Sequence, residues 1–182
     1  MGKIINSTFV SIDGVINHME VWHFDYVDDE SHQIALEQLQ ASEGLLMGRN
    51  TYDVYASSWP SRDGELADKI NSMPKYVAST TLNNADWNNT TVIKGDLVTE
   101  VTKLKQRGGD ILMHGFGPVA HTLMTNGLLD VVHLWVHPHF AGVGGPGDML
   151  LSPGNNTRLE LVETRTLRSG IVMLSYSTAP VA

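Results

Sequence analysis

Short runs rich in β-branched and other apolar residues alternate along this chain with stretches whose apolar residues recur at helical spacing, the two being separated by glycine, proline or asparagine. A parallel neighbour in a sheet is reached only through a crossover, and the crossovers here have a helical period. The alternation therefore predicts an α/β fold with a mainly parallel central sheet covered by helices on both faces. Strands are expected at residues 3–11, 45–47, 75–79, 91–94, 110–114 and 131–140. Helices are expected at 31–41, in a turn starting at Asn50, and at 65–71, 96–106 and 118–125. Ile34, Leu36 and Leu39 give the first helix its apolar stripe, behind the acidic group Asp28, Asp29 and Glu30 that suits a helix start. Residues 158–167 and 170–177 alternate apolar and polar side chains around Arg168-Ser169-Gly170, which predicts an antiparallel hairpin at one edge.

No linker, repeat or low-complexity tract divides the 182 residues, so one domain spanning 1–182 is expected. The net charge of −8 opposes binding to nucleic acid or an anionic membrane, both of which need a concentrated basic face. Small metabolites are the natural partners. Without cysteine there is no disulfide, no thiolate zinc site and no cysteine nucleophile. The first nine residues lack the plan of a signal peptide, and no apolar run approaches the roughly 20 residues that span a bilayer. A cytoplasmic location is expected, with the Asn-x-Thr triplets at Asn88 and Asn155 serving as turns.

Two segments carry ligand chemistry. In Leu45-Leu46-Met47-Gly48-Arg49-Asn50-Thr51-Tyr52 a buried strand ends at a glycine and presents an arginine and a threonine where a helix begins. Free N–H groups and the helix dipole favour an anion there, and a guanidinium can grip a phosphate from two directions. The alternative is an ordinary strand end with a solvated arginine. In Gly115-Phe116-Gly117-Pro118-Val119-Ala120 another strand meets a helix through two glycines, either to let backbone approach a pyrophosphate or only to make a tight turn. Its spacing fits Gly-x-Gly-x-x-Ala, yet a Rossmann fold is excluded. The motif comes late in the chain, and the next strand ends in His137-Pro138-His139 with no acid for a ribose hydroxyl. The glycines of residues 142–147 precede no helix and read as loop geometry. A period of two places His133, Trp135, His137 and His139 on one face of their strand, and that face is expected to look into the ligand cleft. No third histidine or carboxylate sits at a spacing that would complete a metal site.

Taken in order, these pieces resemble the dihydrofolate reductase superfamily, and within it the reductase domain of the bifunctional deaminase/reductases of riboflavin biosynthesis. The resemblance is carried by Ser11-Ile12-Asp13-Gly14, Met47-Gly48-Arg49-Asn50-Thr51, Ala78-Ser79-Thr80, Gly115-Phe116-Gly117-Pro118, Gly127-Leu128-Leu129-Asp130 and Pro138-x-x-x-Gly142. It implies NADPH as cofactor, with Gly48, Arg49 and Thr51 at its phosphates. Gly115, Phe116, Gly117 and Pro118 would then lie along the pyrophosphate, with Ser79 and Thr80 joining Arg49 around the 2′-phosphate. Hydride transfer to a small heterocyclic or carbonyl compound is the implied reaction. A non-catalytic NADPH-binding sensor of the same fold is the alternative.

For the substrate side, the resemblance implies that Asp13 lies beside the nicotinamide, where it either orients substrate and relays a proton or only caps its own turn. Trp22, in the loop of residues 17–28, is either a lid over the pocket or a core residue. Dihydrofolate reductases hold the pterin with a carboxylate on the first long helix; His32 falls near that place here, and Glu30 is the closest acid. Folate reduction is thereby disfavoured. Without cysteines there is no deaminase zinc site, so a riboflavin role would be the reduction step alone. The family resemblance also implies a homodimer, and the apolar second face of the closing strands, with Val162, Ile171, Met173 and Tyr176, is the patch expected to form it.

Overall fold

The computed structural model describes residues 1–150 and 156–178, which leaves Asn155 outside the described residues. Eight strands form one sheet in the order β4-β3-β2-β5-β1-β6-β8-β7. They are β1 (Ile4–Ser11), β2 (Gly44–Gly48), β3 (Lys75–Ala78), β4 (Thr90–Ile93), β5 (Ile111–His114), β6 (Val131–His137), β7 (Glu160–Thr166) and β8 (Val172–Ser177). β1 to β6 pair in parallel, and β8 runs antiparallel between β6 and β7. Helices α1 (Met19–Trp22), α2 (Asp29–Gln40), α3 (Arg49–Ser58), α4 (Glu65–Ser72), α5 (Leu97–Gln106) and α6 (Pro118–Thr125) make the crossovers and coverings.

Strand parity sorts the core into two layers. Leu45 and Met47 of β2 pack with Leu39 of α2, Tyr52 of α3 and Ile70 of α4. Leu46 between them points the other way, into the cluster that holds Val101 and Leu104 of α5 and Ala120 and Leu123 of α6. Both faces are apolar because both are covered, as a parallel sheet requires. Asp28 caps α2 by accepting the Ser31 amide, so the acidic run does start the helix. β6 stops at His137, earlier than periodicity implied, because Pro138 has no N–H for a further ladder bond. Residues 17–28 are not a plain loop; they form α1 and a single 3-10 turn, Phe24–Tyr26.

The order of the strands fixes where a ligand can bind. The chain leaving β2 moves outward through α3 and α4 to β3, whereas the chain leaving β5 moves the opposite way through α6 to β6. β2 and β5 are neighbours, so their carboxyl ends face a crevice from which the two connections diverge.

One buried charge secures the outer part of this half. Pro74 follows α4 and supplies no N–H to the Ile70 carbonyl, and the Lys75 amide bonds Asn89 instead of Asn71. The Lys75 ammonium, fully buried, takes over: it donates to the carbonyls of Ile70 (3.1 Å), Asn71 (2.8 Å) and Met73 (2.9 Å). It also lies 4.4 Å from the Trp87 ring centroid, and Trp87 Nε1 donates to the Asn71 side chain. Asn89, turning at φ 56°, completes the cap by donating to the Ser72 carbonyl, in the Asn88-Asn89 turn the sequence predicted.

Candidate active site

Three of the predicted motifs meet at neighbouring strand ends. Gly48 is the register partner of Ala78, which puts Ser79 and Thr80 beside Arg49; Met47 is the partner of His114, which puts the Gly115 turn on the other side. Gly115 has φ 81°, and a Cβ there would collide with Thr51 Oγ1, so the two strand-end motifs touch at this point. A Cβ on Gly48 would rest 3.4 Å from the Val119 side chain of α6. Over Gly117, by contrast, there is open space, directly at the amino end of α6. Phe116 turns its ring into the core against His121, and Pro118 occupies the first helical position, where no N–H is needed. Two helix amino ends thus border one glycine-lined gap, which suits a diphosphate.

Arg49 is half-exposed and bonds both carboxylate oxygens of Asp53 through Nε at 2.8 Å. An exposed pair of this kind contributes less than about 1 kcal/mol, so a phosphate offering charge-assisted bonds competes well for the guanidinium. Ser79 Oγ accepts the amides of Thr81 and Leu82, which shapes the loop beyond β3, and Thr80 is exposed. A hollow of about 980 Å³ lies between α3, α4 and residues 82–88; Arg49 stands on its wall, but so do Asp53, Asp68 and Asp86, which oppose an anion there. The strand-end gap, bordered by two helix amino ends, suits an anion better.

Asp13 is an anchor between loops. Its carboxylate accepts from Ser11 Oγ (2.6 Å), the Ala141 amide (2.9 Å) and the Gly142 amide (2.8 Å), tying the turn after β1 to the segment after β6. The Ser11 hydroxyl first, then the two amides, hold its pKa down to about 2. It carries no transferable proton near neutral pH.

The remaining substrate-side expectations scatter. Trp22 is 1% exposed, donates Nε1 to the Asn17 carbonyl and packs 5.0 Å from the His137 ring, so it is a core residue at the end of α1. Trp135 is also 1% exposed and donates to Ser7 Oγ. The face it shares with His133 and His137 does not open into a cleft: α2, the hairpin and α1 cover it, with Ile34, Ile171 and Met173 around Trp135 and the His23 Nδ1 3.0 Å from His137 Nε2. Burial, chiefly, and the facing imidazole hold His23 down to about 4. His32 is exposed at the start of α2, and Glu30 is turned to the hairpin, where it accepts the Arg168 amide.

Sequence reasoning did not single out Tyr55 and His114. His114 ends β5 immediately before Gly115 and lies 3.0 Å through Nδ1 from the Tyr55 hydroxyl of α3. The available signal was a polar residue closing the otherwise apolar run Ile111-Leu112-Met113. Asn6 was also missed: buried in β1, it donates Nδ2 to the Gly115 carbonyl at 2.9 Å and so steadies the positive-φ turn.

A mostly parallel sheet with helices on both faces, a closing hairpin and a ligand crevice between β2 and β5 is the dihydrofolate reductase-like fold. The chain belongs to the RibD C-terminal domain family, whose model matches residues 2–173. It is 29% identical over 180 residues to the uncharacterized protein YyaP of Bacillus subtilis, covering 96% of this chain and 94% of that one. Among solved structures it is similar to a putative riboflavin biosynthesis protein from Shewanella sp. PV-4 (22% identity, TM-score 0.73, 99% of this chain and 100% of that one). It is also similar to the diaminohydroxyphosphoribosylaminopyrimidine deaminase/5-amino-6-(5-phosphoribosylamino)uracil reductase of Thermotoga maritima (13% identity, TM-score 0.66), covering 98% of this chain and 57% of that longer one. No helix among the described residues is long and apolar enough to cross a membrane.

Proposed function

We propose that this protein is an NADPH-dependent reductase that delivers hydride to a small heterocyclic or carbonyl substrate. Membership of the RibD C-terminal domain family supports an oxidoreductase of the riboflavin-pathway type. The observation that carries the cofactor is the meeting of Gly48, Arg49 and Thr51 with Ser79, Thr80 and the Gly115-to-Pro118 turn at three adjacent strand ends. NADPH supplies the hydride when bound. The chain supplies position: the Gly117 gap takes the diphosphate, Arg49 with Ser79 and Thr80 takes the 2′-phosphate, and Asp13 orients the loops beside the reacting ring. Because Asp13 is ionised, the proton that accompanies hydride comes from another group.

Arg49→Ala tests the phosphate assignment. Its removal should weaken NADPH by about 1.5–3 kcal/mol, roughly ten- to hundredfold, while NADH binding stays nearly constant. Calorimetry showing equal losses for both cofactors would refute it. NADPH binding without oxidation across a substrate panel would favour the sensor reading.

A homodimer is proposed with a corrected patch. Ile171, just before β8, and Met173 within it point into the core at 1% and 6% exposure, clustered with Ile34 of α2. Val172, Leu174 and Tyr176 alternate to the opposite face, and Leu161 and Val162 of the edge strand stand exposed beside them. Light scattering is expected to give twice the 20.0 kDa of one chain; a single-chain mass at micromolar concentration rejects the patch as an interface.

A further inference from the structure

We propose that residues 18–27 form a strap held down by the His23–His137 pair, and that acid releases it, because the pair cannot accommodate a proton until the strap lifts and returns both rings to water. The inference is independent of what the ligand crevice binds. The strap has little structure of its own. α1 is a single turn of four residues, neither it nor the 3-10 turn that follows has a side-chain cap, and Val21 and Phe24 are exposed. The end of β6 fastens it. His23 Nδ1 lies 3.0 Å from His137 Nε2, the Tyr26 hydroxyl donates to the Pro138 carbonyl at 3.2 Å, and the Trp22 ring packs edge-on against His137.

The neutral pair has one arrangement. His137 Nδ1 lies 2.8 Å from the Trp135 carbonyl, which can only accept, so Nδ1 carries the proton and Nε2 is bare. His23 Nδ1–H therefore donates to it. An added proton on His137 Nε2 would set two N–H groups against each other. On His23 Nε2 it would leave a cation in a site 7% exposed, with Phe9 stacked at 4.3 Å between ring centroids. Among the described residues the charges acting on the pair are those of further imidazoles, His32 on His23 and His139 on His137. The neighbouring acids are exposed or committed: Glu20 and Asp25 to solvent, Asp28 to the cap of α2, Asp13 to Ser11, Ala141 and Gly142. At the amino end of the strap the balance is opposite. His18 lies 3.4 Å from Asp148 and 3.7 Å from Glu20, and Asp148 also holds Ile16 and Asn17, so that end stays anchored while the middle lifts. Burial first, then His137 and His32, holds the His23 pKa at about 4 against an ordinary 6.5. The closed strap is therefore fully favoured above about pH 6.5 and loses to the open form as pH falls toward 4. Between about pH 7.5 and 4.5 the equilibrium constant for opening should rise roughly fifty- to hundredfold.

Hydrogen exchange followed by NMR on the full chain tests this, with protection factors taken at each pH for the amides of His23, Tyr26 and Val27, which bond within the strap, and for those of α5. The strap amides should lose roughly fifty- to hundredfold protection between about pH 7.5 and 4.5, while α5 keeps its own. His23→Gln still donates to His137 Nε2 but takes no proton, so it should flatten the pH dependence of the strap. In the unmodified protein the ring nitrogens of His23 and His137 should titrate in step with the loss of protection, a readout that does not depend on how the variant folds. Strap protection that ignores pH, an equal loss in α5, an unaltered dependence in His23→Gln, or rings that titrate beneath a still-protected strap would each overturn the proposal.

Discussion

Gly117→Val is expected to abolish NADPH binding, by at least about a hundredfold, while leaving the fold intact. Gly117 has φ −134°, extended backbone that valine adopts freely, and nothing lies within 4 Å of a Cβ built there. The new side chain would project into the gap at the amino end of α6, where the diphosphate is proposed to sit. The melting temperature should hold or rise slightly, since replacing glycine restricts the unfolded chain. Gly115 offers no such separation: its φ of 81° and its contact with Thr51 mean that a valine there damages turn and site together. Calorimetry finding near-normal NADPH affinity for the Gly117 variant would move the cofactor away from α6.

The largest stability effect is expected at Lys75. Lys75→Met keeps the bulk of the side chain but strips the end of α4 of donors to three carbonyls, one of which Pro74 already leaves unserved. Burial depresses the ammonium to about 8, yet three acceptors and the Trp87 face favour its charged form, so the site depends on the cation. A loss of about 3 kcal/mol follows from orphaning these groups, or roughly 6–12 °C in melting temperature for a chain of this length. Denaturant unfolding that registers less than about 1 kcal/mol would mean that water or a shifted backbone replaces the ammonium.

What the sequence made legible was local. Glycines at strand ends, the acidic start of α2, Pro74 and the Asn88-Asn89 turn each act through their own backbone, so the element order and the strand-end glycine turns could be placed from residue chemistry alone. Parity along β6 was equally readable: His133, Trp135 and His137 do share a face. What covers that face is decided by α2 and α1, distant in sequence, which is why Trp135 was expected near substrate and lies in the core. The Tyr55–His114 pair spans 59 positions and the Lys75 cap depends on carbonyls exposed by a neighbouring helix end; neither has a one-dimensional signature.

β1, the strand between β5 and β6, finds its partners late in synthesis. Asn6 meets Met113 across 107 positions and Ile4 meets Asp130 across 126. Closing such loops costs chain entropy before any contact repays it, so β2, β3 and β4 with their local crossovers assemble first and β1 waits for the second half of the chain. The proposed nucleotide gap waits for β5, because α3 follows β2, α6 follows β5, and the two amino ends come side by side only when β5 pairs with β2. Any affinity for a dinucleotide at the proposed gap therefore requires β5 and α6, and a precursor that ends before them should lack it.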